Sequence, residues 1–172
     1  QEYEVGLMSF DGGERLKAID PRFDPKEIVI GHAALSEARH GRLRHAQRIA
    51  RSGFGLAAAN TRMMDVRLHD WYLTTRDGAY AARIVADELD LELRLSRTQP
   101  PLLQGQNGYS RKGPQAASAS YYYSLPHLSV EGQVRTGKGR QRVFGSAWLD
   151  HEWSSEYMAS DAVGWDWIGI NL

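Results

Sequence analysis

The stretch LDLELRLSR, Leu89 to Arg97, alternates leucine with charged or polar residues at a period of two. In an extended chain neighbouring side chains point to opposite faces. This pattern therefore specifies a half-buried strand, with leucines on the covered face and charges on the other. The same period recurs through much of the chain. LSVEGQVRT (Leu128 to Thr136) and RVFGSAWLD (Arg142 to Asp150) read as a hairpin pair around Gly137-Lys138-Gly139. Further strand candidates are EIVIGHAAL (27–35), VRLHDWYLTT (66–75), AYAARIVAD (79–87), SASYYYS (118–124) and WDWIGINL (165–172), with a turn at Asp77-Gly78. Short strands broken by Gly and Asp turns predict an all-β antiparallel barrel or sandwich.

One segment departs from that pattern. SEARHGRLRHAQRIARSGFGLAAA, Ser36 to Ala59, is rich in Ala, Arg and Leu. Read locally it gives a short helix from about Leu43 to Arg51, with Leu43, Ala46, Ile49 and Ala50 on one apolar face. PPLLQGQNGYSRKGPQAASAS, residues 100–120, reads as a long polar loop of the kind that often binds ligands or covers a site.

At 172 residues the chain suits one domain spanning 1–172 and can bury a real core. Lys+Arg and Asp+Glu are equal at 21 each, which argues against a nucleic-acid partner, since phosphate binding needs a basic face. No apolar run approaches the ~18 residues of a transmembrane helix. The opening QEYEVGLMSF lacks the basic start and apolar core of a signal peptide. There is no cysteine, so disulfides, thiolate nucleophiles and Cys-based metal sites are excluded.

Candidate chemistry gathers near the C-terminal end, where four of the five tryptophans lie. In WLDHEWSSE, Trp148 to Glu156, alternation puts Trp148, Asp150 and Glu152 on one face and Leu149, His151 and Trp153 on the other. A carboxyl group among indole rings would be poorly solvated and tend to keep its proton, as a general acid requires. The plainer alternative makes Asp150 and Glu152 surface groups and His151 a hydrogen-bonded structural histidine. GWDWIG (164–169) repeats the motif, with Asp166 between Trp165 and Trp167. Indole faces can stabilise a cation or simply anchor a core. In the run Tyr121, Tyr122 and Tyr123 at least one hydroxyl faces inward. Tyr109, Arg111 and Lys112 form a candidate anion contact. The histidines His32, His69, His127 and His151 are scattered, without zinc-motif spacing, and no metal site is expected. Phosphate loops and a nucleophile elbow are absent.

Taken together, GYSRKGP (109–115), ASYYYSLPHLSVEG (119–132), GSAWLDHEWSS (145–155) and GWDWIGINL (164–172) resemble the carotenoid 1,2-hydratase family, also called hydroxyneurosporene-synthase-like or AttH-like. The upstream stretch 31–59 is similar to the same family, so the resemblance runs from about residue 28 to the end. It implies an all-β, lipocalin-like antiparallel β-barrel, the first of two in longer members, incomplete here and carrying a short helical segment. It also makes 31–59 mostly strand, against the local helix. The family's usual early EWWY-type strand is missing, and the second barrel lies outside this chain.

The resemblance further implies a hydratase (a lyase) that works without a cofactor, adding water to a carbon–carbon double bond of a hydrophobic polyene or terpenoid by acid catalysis. Catalysis would then fall to Asp150, with His151 orienting it or positioning water. Trp148, Trp153, Trp165 and Trp167 would shape an apolar pocket, with Tyr122 as a further donor. The alternative is a non-catalytic lipocalin-like carrier of a hydrophobic ligand. An exported, periplasmic or peripherally membrane-associated setting suits either reading.

Overall fold

Alternation governs the computed structural model, which describes residues 4–11, 28–154, 159, 161–164 and 166–170, the first of these by backbone alone. Twelve strands and no helix occur among the described residues. The chain clusters into two compact units. The first comprises Gln1–Leu95 with Glu131–Phe144, and the second Ser96–Val130 with Gly145–Leu172.

The first unit begins with a three-stranded antiparallel meander of β1 (Glu4–Asp11), β2 (Ile28–Ser36) and β3 (Arg44–Arg51). It continues through β4 (Ala57–Ala59), β5 (Asp65–Leu68), β6 (Trp71–Arg76), β7 (Ala79–Val85) and β8 (Asp90–Ser96), each antiparallel to the next. Its core is made by alternate residues: Val29, Ala33 and Leu35 of β2, Leu91, Leu93 and Leu95 of β8, and Ala82 and Ile84 of β7 are all buried. Gly31 falls in the inward series of β2. A Cβ there would stand 2.9 Å from Leu68 Cδ2 and 3.2 Å from the Trp71 ring, so its absence lets Leu68 and Trp71 pack on the strand.

Two long strands, β11 (Ala119–Thr136) and β12 (Gly139–Trp153), pair with each other and contribute to both units. In the first unit β11 lies next to β8. There Lys138, at the hairpin turn, places Nζ 2.7 Å from Glu37 Oε1. Arg44 reaches the other oxygen of the same buried carboxylate at 3.2 Å. Two cations compensate Glu37, as a buried charge requires. In the second unit the short strands β9 (Leu102–Leu103) and β10 (Tyr109–Arg111) pair with β11. Among the described residues neither sheet closes on itself, and the fold is lipocalin-like and all-β. No helix among the described residues is long and apolar enough to cross a membrane.

Several local expectations are corrected. The helix at Leu43–Arg51, and with it the short helical segment, is replaced by β3. All eight residues of β3 pair with β2, from Ile28↔Arg51 to Leu35↔Arg44, and that tertiary pairing overrides the local helix propensity. Leu43 and Ile49, read as apolar-face residues, are more than half exposed. VRLHDWYLTT is two strands, because His69 takes a left-handed φ of 57° and turns the chain between β5 and β6. SASYYYS and LSVEGQVRT are one strand: Pro126, which lacks an N–H, and His127, at φ 52°, fall within it. The loop at 100–120 contains β9 and β10. Residues 166–170 of WDWIGINL form no strand, and Trp165, Asn171 and Leu172 lie outside the described residues.

Candidate active site on the β11–β12 pair

Within the second unit, alternation gives the β11–β12 pair two chemically different faces. One carries Trp148, Asp150 and Glu152 of β12 with Ser120, Tyr122 and Ser124 of β11. The other carries His151 and Trp153 with Tyr121 and Tyr123.

On the first face each carboxylate meets a buried serine. Asp150 Oδ1 accepts from Ser124 Oγ at 2.5 Å and from Trp148 Nε1 at 2.7 Å. Glu152 Oε1 accepts from Ser120 Oγ and pairs with Lys112 Nζ at 2.9 Å. Ser120 and Ser124 are 2% and 0% exposed, so their hydroxyls must find partners within the protein. Gln104, from the loop between β9 and β10, donates Nε2 to Ser124 Oγ at 2.8 Å. The Tyr122 hydroxyl accepts from Trp167 Nε1 at 3.3 Å and neighbours Asp150 and Ser124. Burial, and then the charge of Asp150, push the Tyr122 phenol above its ordinary value, so it stays protonated through neutral pH. Trp148 and Trp167 meet edge to face, centroids 6.4 Å apart, and the Lys112 ammonium lies 4.8 Å from the centre of the Tyr122 ring.

The second face is built of rings. The His151 and Tyr123 rings meet edge to face at 5.2 Å, with Nδ1 and the Tyr123 hydroxyl 3.0 Å apart. Trp153 lies 5.0 Å from His151 and stacks on Tyr121 at 5.7 Å. Tyr109 of β10 meets Tyr121 at 5.9 Å. Burial lowers the His151 pKa, favouring the neutral imidazole.

The structure thus brings Asp150, Trp148, Tyr122 and Trp167 together, and places His151 and Trp153 on the opposite face with other partners; Asp150 and Trp167 are exposed, which corrects the expectation of a poorly solvated carboxyl in an apolar pocket. Trp165 lies outside the described residues. Tyr109, Arg111 and Lys112, read as an anion contact, each make a polar contact within the protein. The Tyr109 hydroxyl donates to the Ala116 carbonyl at 2.7 Å, Arg111 to the Pro114 carbonyl at 2.7 Å, and Lys112 pairs with Glu152. Among the described residues no three His, Asp or Glu side chains converge to hold a metal. Ser120 and Ser124 were not singled out, although they share the parity of Tyr122 in SASYYYS. Gln104 carried no signal, since no periodicity links a loop glutamine to a strand.

A model of the family described as AttH-like matches residues 8–172, twenty residues further upstream than the sequence motifs reached. A crystal structure of a protein assigned as an AttH, from Nitrosomonas europaea, is similar at 44% identity and a TM-score of 0.80, over 92% of this chain and 48% of that one. The crystal structure of kievitone hydratase from Nectria haematococca shares the fold at 13% identity and a TM-score of 0.69, over 91% of this chain and 44% of that one. The chain therefore spans about half the length of the solved structures it matches. No curated protein matches its sequence. With the family model covering nearly the whole sequence, the chain belongs to the AttH-like family.

Proposed function

We propose that the carboxylate face of the β11–β12 pair adds water to a carbon–carbon double bond of a hydrophobic polyene or terpenoid by acid catalysis. The observation that carries this reading is the convergence of Ser124 Oγ and Trp148 Nε1 on one oxygen of Asp150. A carboxylic acid accepts through its carbonyl oxygen and donates through its hydroxyl. When Asp150 takes up a proton, the two donors on Oδ1 leave Oδ2 to carry it. The alkene π electrons take that proton to form a new C–H bond, leaving a carbocation on the neighbouring carbon. The negative charge then appearing on Asp150 meets donors already in place, without rearrangement. The cation lies against the Trp148 and Trp167 rings and is favoured by their π faces. Water adds to the cation and returns one proton to Asp150, so the acid is regenerated and no cofactor is needed. Tyr122, kept protonated, is placed to orient that water. His151 braces the opposite face through Tyr123.

Two further points support the reaction class. The fold is shared with a protein named as a hydratase, and the motifs GSAWLDHEWSS and GWDW resemble those of carotenoid hydratases. On that resemblance an acyclic carotenoid is the first substrate to test.

The test is to incubate the purified chain with neurosporene in oxygen-18 water and follow the product by mass spectrometry. One labelled water added per molecule is the expected outcome. Tight binding with no change in mass would overturn the hydratase reading and leave that of a hydrophobic carrier.

A further inference from the structure

We propose that Gln104 is a positioning residue for Asp150, acting through the hydroxyl of Ser124. Its functional consequence rests on the reading of Asp150 as proton donor. Ser124 is fully buried and has one proton to give. Its Oγ lies 2.8 Å from Gln104 Nε2 and 2.5 Å from Asp150 Oδ1. The amide nitrogen of Gln104 can only donate, so Ser124 must accept there, and its proton is left for the carboxylate. Gln104 thereby fixes the direction of the whole chain, Gln104 to Ser124 to Asp150.

The loop holds this side chain rigidly for such a task. The Gln104 N–H donates to the Tyr122 carbonyl at 3.1 Å, and the Gly108 N–H donates back to the Gln104 carbonyl at 2.9 Å. The Tyr122 N–H in turn donates to the Gly108 carbonyl at 2.8 Å. Gly105, next in the chain, has a φ of +61°, and a Cβ there would collide with the carbonyl oxygen of Tyr109. Only glycine fits, and the backbone of Gln104 is clamped to the strand that carries Tyr122 and Ser124. A positioning group supported in this way loses little freedom when it acts.

The substitution Gln104→Glu puts a carboxylate where the amide donor stands and draws the Ser124 proton away from Asp150. Trp148 and the neighbouring Tyr122 hydroxyl are then the donors left to Asp150, and the Trp148 bond strengthens. The readout is the Trp148 indole N–H resonance in a proton–nitrogen NMR spectrum, expected to move downfield in Gln104→Glu. In a Ser124→Ala background the same substitution is expected to move it no further. For turnover, kcat is expected to fall about tenfold at unchanged KM, the loss of one hydrogen bond to a charged group. A folded Gln104→Glu with the indole resonance unmoved overturns the inference, as does an equal shift in the Ser124→Ala background. Should Gln104→Glu fail to fold, Gln104→Met removes the donor without offering Ser124 another acceptor; the Ser124 hydroxyl keeps Asp150 but is less polarised, and a smaller downfield shift is expected. A shifted resonance in a protein that makes no hydrated product sinks the hydration reading and upholds the positioning role. Turnover with an unmoved resonance does the reverse.

Discussion

The two faces of the β11–β12 pair differ in what satisfies their polar groups. On one, Ser124 and Trp148 donate to Asp150, Ser120 and Lys112 serve Glu152, and Gln104 stands behind Ser124. On the other, rings pack against rings, and the one ionisable imidazole is held near a tyrosine hydroxyl in a setting that favours its neutral form. A third setting, in the first unit, sharpens the contrast. Glu37 is buried against Arg44 and Lys138, which offset its charge. Cations flank Glu37, whereas the hydrogen bonds that reach Asp150 come from neutral donors. Position on the strand, and not residue type, decides which of these settings a polar group meets.

The sharpest way to break this comparison is at Asp150. Asp150→Asn keeps an acceptor for Ser124 and Trp148 but cannot deliver a proton. Hydration is expected to fall at least about a hundredfold, the scale of a lost general acid. The thermal midpoint should move little, because the side chain is exposed and its hydrogen bonds can be remade. Loss of folding instead would make Asp150 a structural bracket. Next in size, Tyr122→Phe removes a phenol that partners Trp167 and neighbours Asp150. A fall in kcat of about tenfold is expected, with a stability loss of about 1 kcal/mol measured by urea unfolding.

On the opposite face the order reverses. Trp153 is half exposed, so Trp153→Ala should cost about 1–2 kcal/mol, well under the 3–5 of a fully buried tryptophan. Turnover should stay within about threefold of wild type. The smallest effect concerns pH. Because burial lowers the His151 pKa, the unfolded chain binds that proton more readily than the folded one. Stability linked to His151 is therefore complete above about pH 6.5, the unfolded value, and declines below it until the folded imidazole is itself protonated. Thermal melts between about pH 7.5 and 5 should show this decline in the wild type and a shallower one in His151→Gln.

Much of this contrast is legible in the sequence, and what is not has identifiable causes. The alternation in WLDHEW separates Asp150 and Glu152 from His151 and Trp153 because side-chain direction in a strand depends on parity alone. The alternation of leucines likewise places β8. Pairing hides other elements. The composition of β3 favours helix, but a ladder of eight paired residues with β2 decides it. Single backbone angles mislead in both directions: His69 turns the chain inside what reads as one strand, and His127 leaves intact a strand that reads as two. Gln104 was beyond reach for another reason. It meets Ser124 across twenty residues of sequence, through a loop folded back on β11.

If ligand and chemistry share the carboxylate face, fluorine NMR of protein carrying 5-fluorotryptophan will report it. Resonances assigned by single Trp→Phe substitutions would be followed during titration with a saturated, unreactive analogue of an acyclic carotenoid. The account predicts that the Trp148 and Trp167 signals move together with saturation while that of Trp153 stays in place. Movement of Trp153 alone would put the ligand on the histidine face and contradict it.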